Sequence, residues 1–330
     1  MTYKLGIIGT NWITKQFVEA AHESGKYELT AIYSRHISTG QEFGQAFNVN
    51  AVYTDLTDFY NSGINVVYIA SPNSVHFEQV KAAIKHDLHV IVEKSAFSNP
   101  SEYKKIMALI AEHKGVRMFE AARHIQQPNF KIIEDQVAKM DKISGATFVY
   151  EKYSSRFDEY LAGNEPNVLS REFSAGALTD LGVYPIYAVI KLFGKPKSSH
   201  YFATPLRNGA DGRGIAIFRY QDFDVTIEFG KGSNSHLDSE ILGLRDTLVI
   251  GDIAEVLDIT YYDANNIAHE LSQAPADNPM VAEAEIFADM MTNQAETAED
   301  YQKLLTLSQT VNQVLFELRQ DAGIVFPADK

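Results

Sequence analysis

Over roughly the first 120 residues, short apolar runs alternate with stretches whose apolar positions recur at helical spacing, the pattern of a parallel sheet with helices laid over it. The runs are "KLGIIG" from Lys4, "ELTAIY" from Glu28, "AVY" from Ala51, "NVVYIA" from Asn65, "HVIV" from His89 and "VRMFE" from Val116. Helical patterns over 12–24, 76–86 and 101–113 fit between them. Crossovers between parallel strands are right-handed, so these elements predict a doubly wound sheet.

The texture changes after Glu120. A helix is expected over 130–140, then the strand-like "GATFVYEKY", an irregular stretch over 154–172, and the helical "AGALTDLGVYPIYAVIKLFG", closed by Gly194 as helix ends often are. In "FDVTIEF", Phe223, Val225, Ile227 and Phe229 alternate with Asp224, Thr226 and Glu228, which predicts an antiparallel strand with one wet face. The run "GIAIFRY" meets it across Gln221 and Asp222 as a hairpin. "DTLVIGD", "LDITYYD" and "IAHELS" add strands, and helices over 281–291 and 298–322 close the chain. Strands that follow helices rather than alternate with them mark a separate α+β domain with a mostly antiparallel open sheet. The expected division is a Rossmann-type domain over 1–122 and a substrate and dimerisation domain over 123–330.

Composition agrees with two folded domains: 330 residues, 45% of them hydrophobic and 22% charged. The formal net charge of −14 argues against nucleic acid or an anionic membrane surface as the main partner. With no Cys, thiolate metal sites, Cys nucleophiles and disulfides are excluded, and no metal site is expected. No stretch has the pattern of a signal peptide or a membrane-spanning length, so a soluble protein of the reducing cytoplasm is the expectation.

Candidate chemistry gathers at strand ends. "GIIGTNWITKQF" stands between the first strand and the first helix, where a dinucleotide pyrophosphate would meet backbone N–H groups, which makes Gly9, Thr10, Asn11, Trp12 and Ile13 candidate cofactor residues. Against G-x-G-x-x-G/A, Asn11 takes the second glycine position and Thr14 the third; the plain alternative is a tight turn with Asn11 left-handed. The second strand ends in "YSRH", without the acid that would bind a ribose 2′-hydroxyl. Ser34 and Arg35 suit a 2′-phosphate instead, so NADP(H) is expected over NAD(H), against the alternative of a solvated Arg. The loop of Ser71, Pro72 and Asn73 belongs to the same edge, with His76 lining the cofactor pocket at most. In "VIVEKSAFSNPSE", Glu93 and Lys94 follow the fifth strand toward the place of a nicotinamide. There an ammonium could exchange a proton with the reacting oxygen, its pKa lowered by the neighbouring nicotinamide cation; a solvated salt-bridging pair is the plain alternative.

"GIIGTNWI", "YSRH", "VVYIASPNSVHFEQVKAAIKHDLHVIVEKSAF" and "GALTDLGVYPI" together resemble the glucose-fructose oxidoreductase, inositol dehydrogenase and MocA family (Gfo/Idh/MocA), most closely its dihydrodiol dehydrogenase-like branch. The resemblance implies that Lys94 works in catalysis as the Lys of the family's Glu-Lys-Pro motif. Ser95 stands in place of that Pro, where a cis bond is costly without proline. It also implies a second motif of Asp and, four residues on, His or Tyr, matched by Asp180 and Tyr184 on one helix face. Arg123, His124, Tyr153, Arg171 and Phe173 are candidate substrate residues around that helix.

The implied activity is hydride transfer between NADP(H) and a hydroxyl or carbonyl carbon of a sugar, polyol, cyclic diol or small carbonyl compound. The second domain would cover the cofactor, and a homodimer would form through the second sheet. The rival is a dinucleotide-binding regulator or sensor without turnover, which need not preserve Lys94, Asp180 and Tyr184.

Overall fold

The structure, a computed structural model, describes residues 2–330. The chain divides into two compact units, Met1–Arg123 with Ala276–Thr306, and His124–Pro275 with Leu307–Lys330.

The first unit holds six parallel strands: β1 (Tyr3–Ile8), β2 (Tyr27–Tyr33), β3 (Val52–Tyr53), β4 (Val66–Ile69), β5 (His89–Glu93) and β6 (Met118–Ala121). Their order is β3-β2-β1-β4-β5-β6, so the winding reverses between β1 and β4, and ligands of such sheets bind at the strand ends of that switch point. The crossovers carry α1 (Trp12–Glu23), α2 (Ile37–Gln45), α3 (Leu56–Tyr60), α4 (Asn73–Lys85) and α5 (Pro100–Glu112). Local chemistry sets where they begin. Asn99 caps α5 by accepting from Glu102 N–H at 3.0 Å, Pro100 occupies the first turn, and Glu102 returns a carboxylate to Ser98 N–H at 2.8 Å. Helix α4 starts at Asn73, three residues before the expected His76, because Pro72 already stands at its cap. All four residues of β4 are buried, as strands covered on both faces require.

The second unit holds β7 (Gly145–Glu151), β8 (Ser198–Pro205), β9 (Asp211–Arg219), β10 (Asp224–Gly230), β11 (Ser239–Leu242), β12 (Thr247–Ile250), β13 (Ile259–Tyr262) and β14 (Ala268–Glu270). They lie in the order β14-β13-β12-β11-β7-β10-β9-β8. The hairpin expected from the alternation is present, with Asp224 opposite Arg219, but β10 also pairs parallel with β7. Such a parallel pair needs a long crossover, and residues 152–223 supply it. In it, α6 (Pro128–Val137) having preceded β7, come α7 (Phe157–Leu161), a π turn at Leu178–Gly182 and α8 (Val183–Phe193), which ends at Gly194. The segment Arg171–Phe193 is long and apolar enough to cross a membrane by composition alone, yet 78% of its most apolar window is buried within the protein.

The division at Ala122 expected from the sequence lies one residue from the first crossing between units, but a single boundary omits the return of the chain over Ala276–Thr306. That return carries α9 (Val281–Thr292) and the start of α10 (Ala298–Asp321). Met280, Ala284, Phe287, Ala288, Met290 and Met291 join the core of the first sheet, and Phe287 stacks on Phe119 at 4.5 Å between centroids. Apolar periodicity shows that a helix buries one face and is silent on which core receives it.

Candidate active site

At the switch point, Gly9 has φ +106°, and a Cβ there would lie 2.7 Å from the Ala70 carbonyl oxygen, so only glycine fits. Asn11 is extended, with φ −87° and ψ 179°, and caps α1. Its amide accepts from Thr14 N–H at 3.1 Å and donates to the Ala70 carbonyl at 3.1 Å, tying the end of β1 to the end of β4. The left-handed Asn11 of the plain sequence reading is thus corrected: the residue serves as an N-cap, which requires an extended backbone. Thr14, in the third glycine position, is fully buried, while Thr10 and Ile13 are half-buried and Trp12 is 73% exposed at the mouth of the turn.

Beyond β2, the Ser34 hydroxyl accepts from His36 N–H at 3.4 Å within its own turn, and Arg35 is exposed. After β4, the Ser71 hydroxyl donates to Gln79 at 2.6 Å, and Ser71, Pro72 and Asn73 are half-buried. His76 is fully buried, with Nε2 2.8 Å from the Ser71 carbonyl oxygen. Burial lowers its pKa to about 4, and the backbone of Ser71, Ser95 and Ala96 offsets only part of this. The ring is therefore neutral and backs the chain where Lys94 stands.

Every residue from Val90 to Asn99 is buried except Lys94. The Lys94–Ser95 peptide bond is cis. The corner is held through its backbone: Ala96 N–H donates to Glu120 at 3.0 Å and Ser98 N–H to Glu102 at 2.8 Å. Glu93 receives a hydrogen bond from the buried Tyr68 phenol, whose ring stacks on Phe17 at 3.9 Å. Burial pushes the Glu93 carboxyl up, while Lys94, Tyr68 and Arg123 pull it back.

In the second unit, the helical segment through the π turn and α8 is buried from Ser174 to Ile190 except at Asp180, Leu181 and Tyr184. Asp180 lies in the π turn, and Tyr184, four residues on, stands in the first turn of α8. The segment is anchored at three points. Asp211 Oδ2 accepts from Leu178 N–H at 2.6 Å and from the Tyr201 phenol at 2.6 Å, beside Gly176, whose Cβ would sit 1.9 Å from Asp211 Oδ1. Gly182 lies against the Phe229 ring, at 3.0 Å from a would-be Cβ. His124 Nε2 lies 3.0 Å from the Tyr184 carbonyl oxygen. The Tyr184 ring itself contacts His124 and Tyr150, at 5.0 and 5.4 Å between centroids. Asp180 forms an ion pair with Lys231, which is 1% exposed and also donates to the Val168 carbonyl at 2.9 Å.

The model of the GFO_IDH_MocA oxidoreductase family, NAD-binding Rossmann fold, matches residues 3–121. The oxidoreductase YgjR of Escherichia coli strain K12 is 39% identical over 327 residues, which cover 99% of this chain and 98% of that protein. The chain belongs to the Gfo/Idh/MocA oxidoreductase family. Scyllo-inositol 2-dehydrogenase (NADP(+)) IolU of Bacillus subtilis strain 168 is 36% identical over 335 residues, 99% of each chain. Among solved structures, KijD10, a 3-ketoreductase from Actinomadura kijaniata in complex with NADP and TDP-benzene, superposes with TM-score 0.86 at 18% identity, covering 97% of this chain and 98% of that one.

Among the other expected residues of this Gfo/Idh/MocA oxidoreductase, Arg123 and His124 are buried at 7% and 1% exposure. The Arg171 Nε donates to the Asn208 carbonyl at 2.9 Å, the Tyr153 hydroxyl donates to Asp158 at 2.7 Å, and Phe173 is half-buried. Sequence reasoning missed Lys231 and Asp211. A signal existed for Lys231: the alternation of Val225, Ile227 and Phe229 continues to it, placing a Lys on the buried face. Asp211 gave no such signal, since it opens a strand.

Proposed function

We propose that the chain is an NADP(H)-dependent dehydrogenase of polyols or sugars, with cyclitols the first class to test. The observation that carries this reading is Lys94, the one residue reaching toward solvent in the buried corner that follows β5. The switch point suits a dinucleotide: the close approach of Gly9 to Ala70 leaves the first turn of α1 unobstructed, and Thr10, Asn11, Trp12 and Ile13 would meet the phosphates. Ser34 and Arg35 would take the 2′-phosphate, and Ser71, Pro72 and Asn73 would flank the cofactor. The full-length likeness to an NADP(+)-dependent scyllo-inositol dehydrogenase supports both the cofactor and the substrate class.

Bound nicotinamide would supply the hydride acceptor or donor at its C4. Lys94 takes the hydroxyl proton of the substrate in the oxidising direction and returns it in the reverse direction. Asp180 accepts hydrogen bonds from substrate hydroxyls, and the Tyr184 phenol donates to or accepts from the reacting oxygen. The test is a screen of scyllo-inositol, D-glucose and D-xylose with NADP+ and NAD+, followed by absorbance of the reduced cofactor. Turnover is expected with at least one of them and faster with NADP+; a protein inert to all three, or indifferent to the cofactor, overturns the reading.

A further inference from the structure

We propose that Lys231 is a positioning residue that holds the Asp180 carboxylate as a hydrogen-bond acceptor, so that Asp180 selects hydroxylated substrates and takes no part in proton transfer. The proposal rests on the dehydrogenase reading above.

Lys231 follows β10 on its inward face and is 1% exposed. An ammonium so enclosed needs both a countercharge and hydrogen-bond acceptors. The Val168 carbonyl, at 2.9 Å, is a neutral acceptor, and the Asp180 carboxylate supplies the charge. The backbone also holds Lys231, whose N–H donates to the Gly212 carbonyl at 2.9 Å. The Asp180 carboxylate is thus tied to the enclosed ammonium, its charged partner. Asp180 is 33% exposed, and a carboxylate offers about four acceptor sites, so the ion pair does not exhaust it. A carboxylate held in place on the accessible face of a buried helix favours a substrate whose own hydroxyl can donate to it. Rejection of analogues lacking that hydroxyl follows, because they leave a desolvated carboxylate unsatisfied.

The test is a double-mutant cycle of Lys231→Met and Asp180→Asn, using whichever of scyllo-inositol, D-glucose and D-xylose the wild-type protein oxidises fastest. NADPH affinity is followed by quenching of Trp12, the one tryptophan, and thermal midpoints report folding. Lys231→Met is expected to raise KM for the polyol or sugar about 10- to 100-fold with a much smaller effect on kcat. In the double variant, with both charges removed together, the thermal midpoint recovers toward wild type while KM stays high. That split separates positioning from mere support of the fold. A double variant that regains both midpoint and KM shows the pair to be structural only, and a wild-type KM in Lys231→Met, or a loss carried by kcat alone, also overturns the proposal. Should Lys231→Met not fold, the double variant alone decides by its KM. Lys94→Met gives the separate reading: if it retains turnover, the catalytic assignment fails while the Lys231 cycle still stands or falls on its own numbers, and a wild-type protein that oxidises none of the three sugars overturns both.

Discussion

Lys94 in the first unit and Asp180 in the second are each a charged residue left partly accessible within a mostly buried run, yet their surroundings hold them in different ways. Around Lys94 the chain that follows is held through its backbone by Glu120 and Glu102, and the buried Glu93 carboxyl, pushed up by burial, is pulled back chiefly by Lys94 itself. Around Asp180 the restraint is a full countercharge, Lys231, with Asp211 capping the turn before it. A held backbone fixes where the side chain begins, which suits the proton transfer proposed for Lys94. A buried ion pair holds the carboxylate itself, which suits a group that only accepts hydrogen bonds.

The largest expected effect breaks this comparison at Lys94. Lys94→Met should lower kcat by about a thousandfold while NADPH still quenches Trp12 with near-normal affinity. A rate within tenfold of wild type would make Lys94 no different in kind from Asp180.

Next, Asp211→Ala removes the acceptor of Leu178 N–H at the start of the Asp180 segment and that of the Tyr201 phenol on β8, and should cost roughly 3 kcal/mol in urea denaturation. Glu120→Ala, which removes one contact to the Lys94 corner, should cost about half as much. Equal losses would show that the two regions are anchored alike.

The buried His76 of the first unit and Asp211 of the second should respond to pH with opposite sign. His76 is held at about 4, below its ordinary 6.5, so as pH falls the unfolded chain binds the proton first. Its stabilisation is complete above pH 6.5 and is lost between 6.5 and 4, by up to about 3 kcal/mol. His89, lowered to about 4 mainly by burial, adds a contribution of the same sign. The Asp211 carboxyl is raised, chiefly by burial, so its contribution is present at low pH and declines as pH rises through its folded value. Urea midpoints at pH 7, 5.5 and 4.5 should fall in the wild-type protein and fall about half as steeply in His76→Gln.

The smallest effect sharpens the cofactor side. Arg35→Ala should weaken NADPH by about 10- to 100-fold and NADH by less than threefold, measured by Trp12 quenching. Equal losses would remove the 2′-phosphate from the argument.

The first unit was legible because each of its signals is local. Buried strands read as continuous apolar runs and Lys94 directly follows β5, whereas the capping roles of Asn11 and Asn99 appeared only in the structure. In the second unit the alternation of Val225, Ile227 and Phe229 revealed a strand and its wet face, but not that β10 runs parallel to β7, since a single strand carries no mark of its second neighbour. The anchoring of Asp180 was hidden for a similar reason: Lys231 lies 51 positions away, and the geometry that joins them exists only once the crossover has folded. Only the Asp211 oxygen beside Gly176 shows why a side chain is excluded there.

The return of α9 to the first sheet bears on how this chain can be made. Phe119 stacks on Phe287, and the Tyr27 phenol donates to the Ala284 carbonyl at 2.9 Å across 257 positions. During synthesis the nucleotide-binding sheet therefore emerges long before the helix that covers it, and at about 5 to 20 residues per second it waits many seconds with apolar surface uncovered. A fragment that stops at residue 123 would stay in that condition permanently, and expression of the isolated half should yield aggregate unless the segment 276–306 is supplied with it.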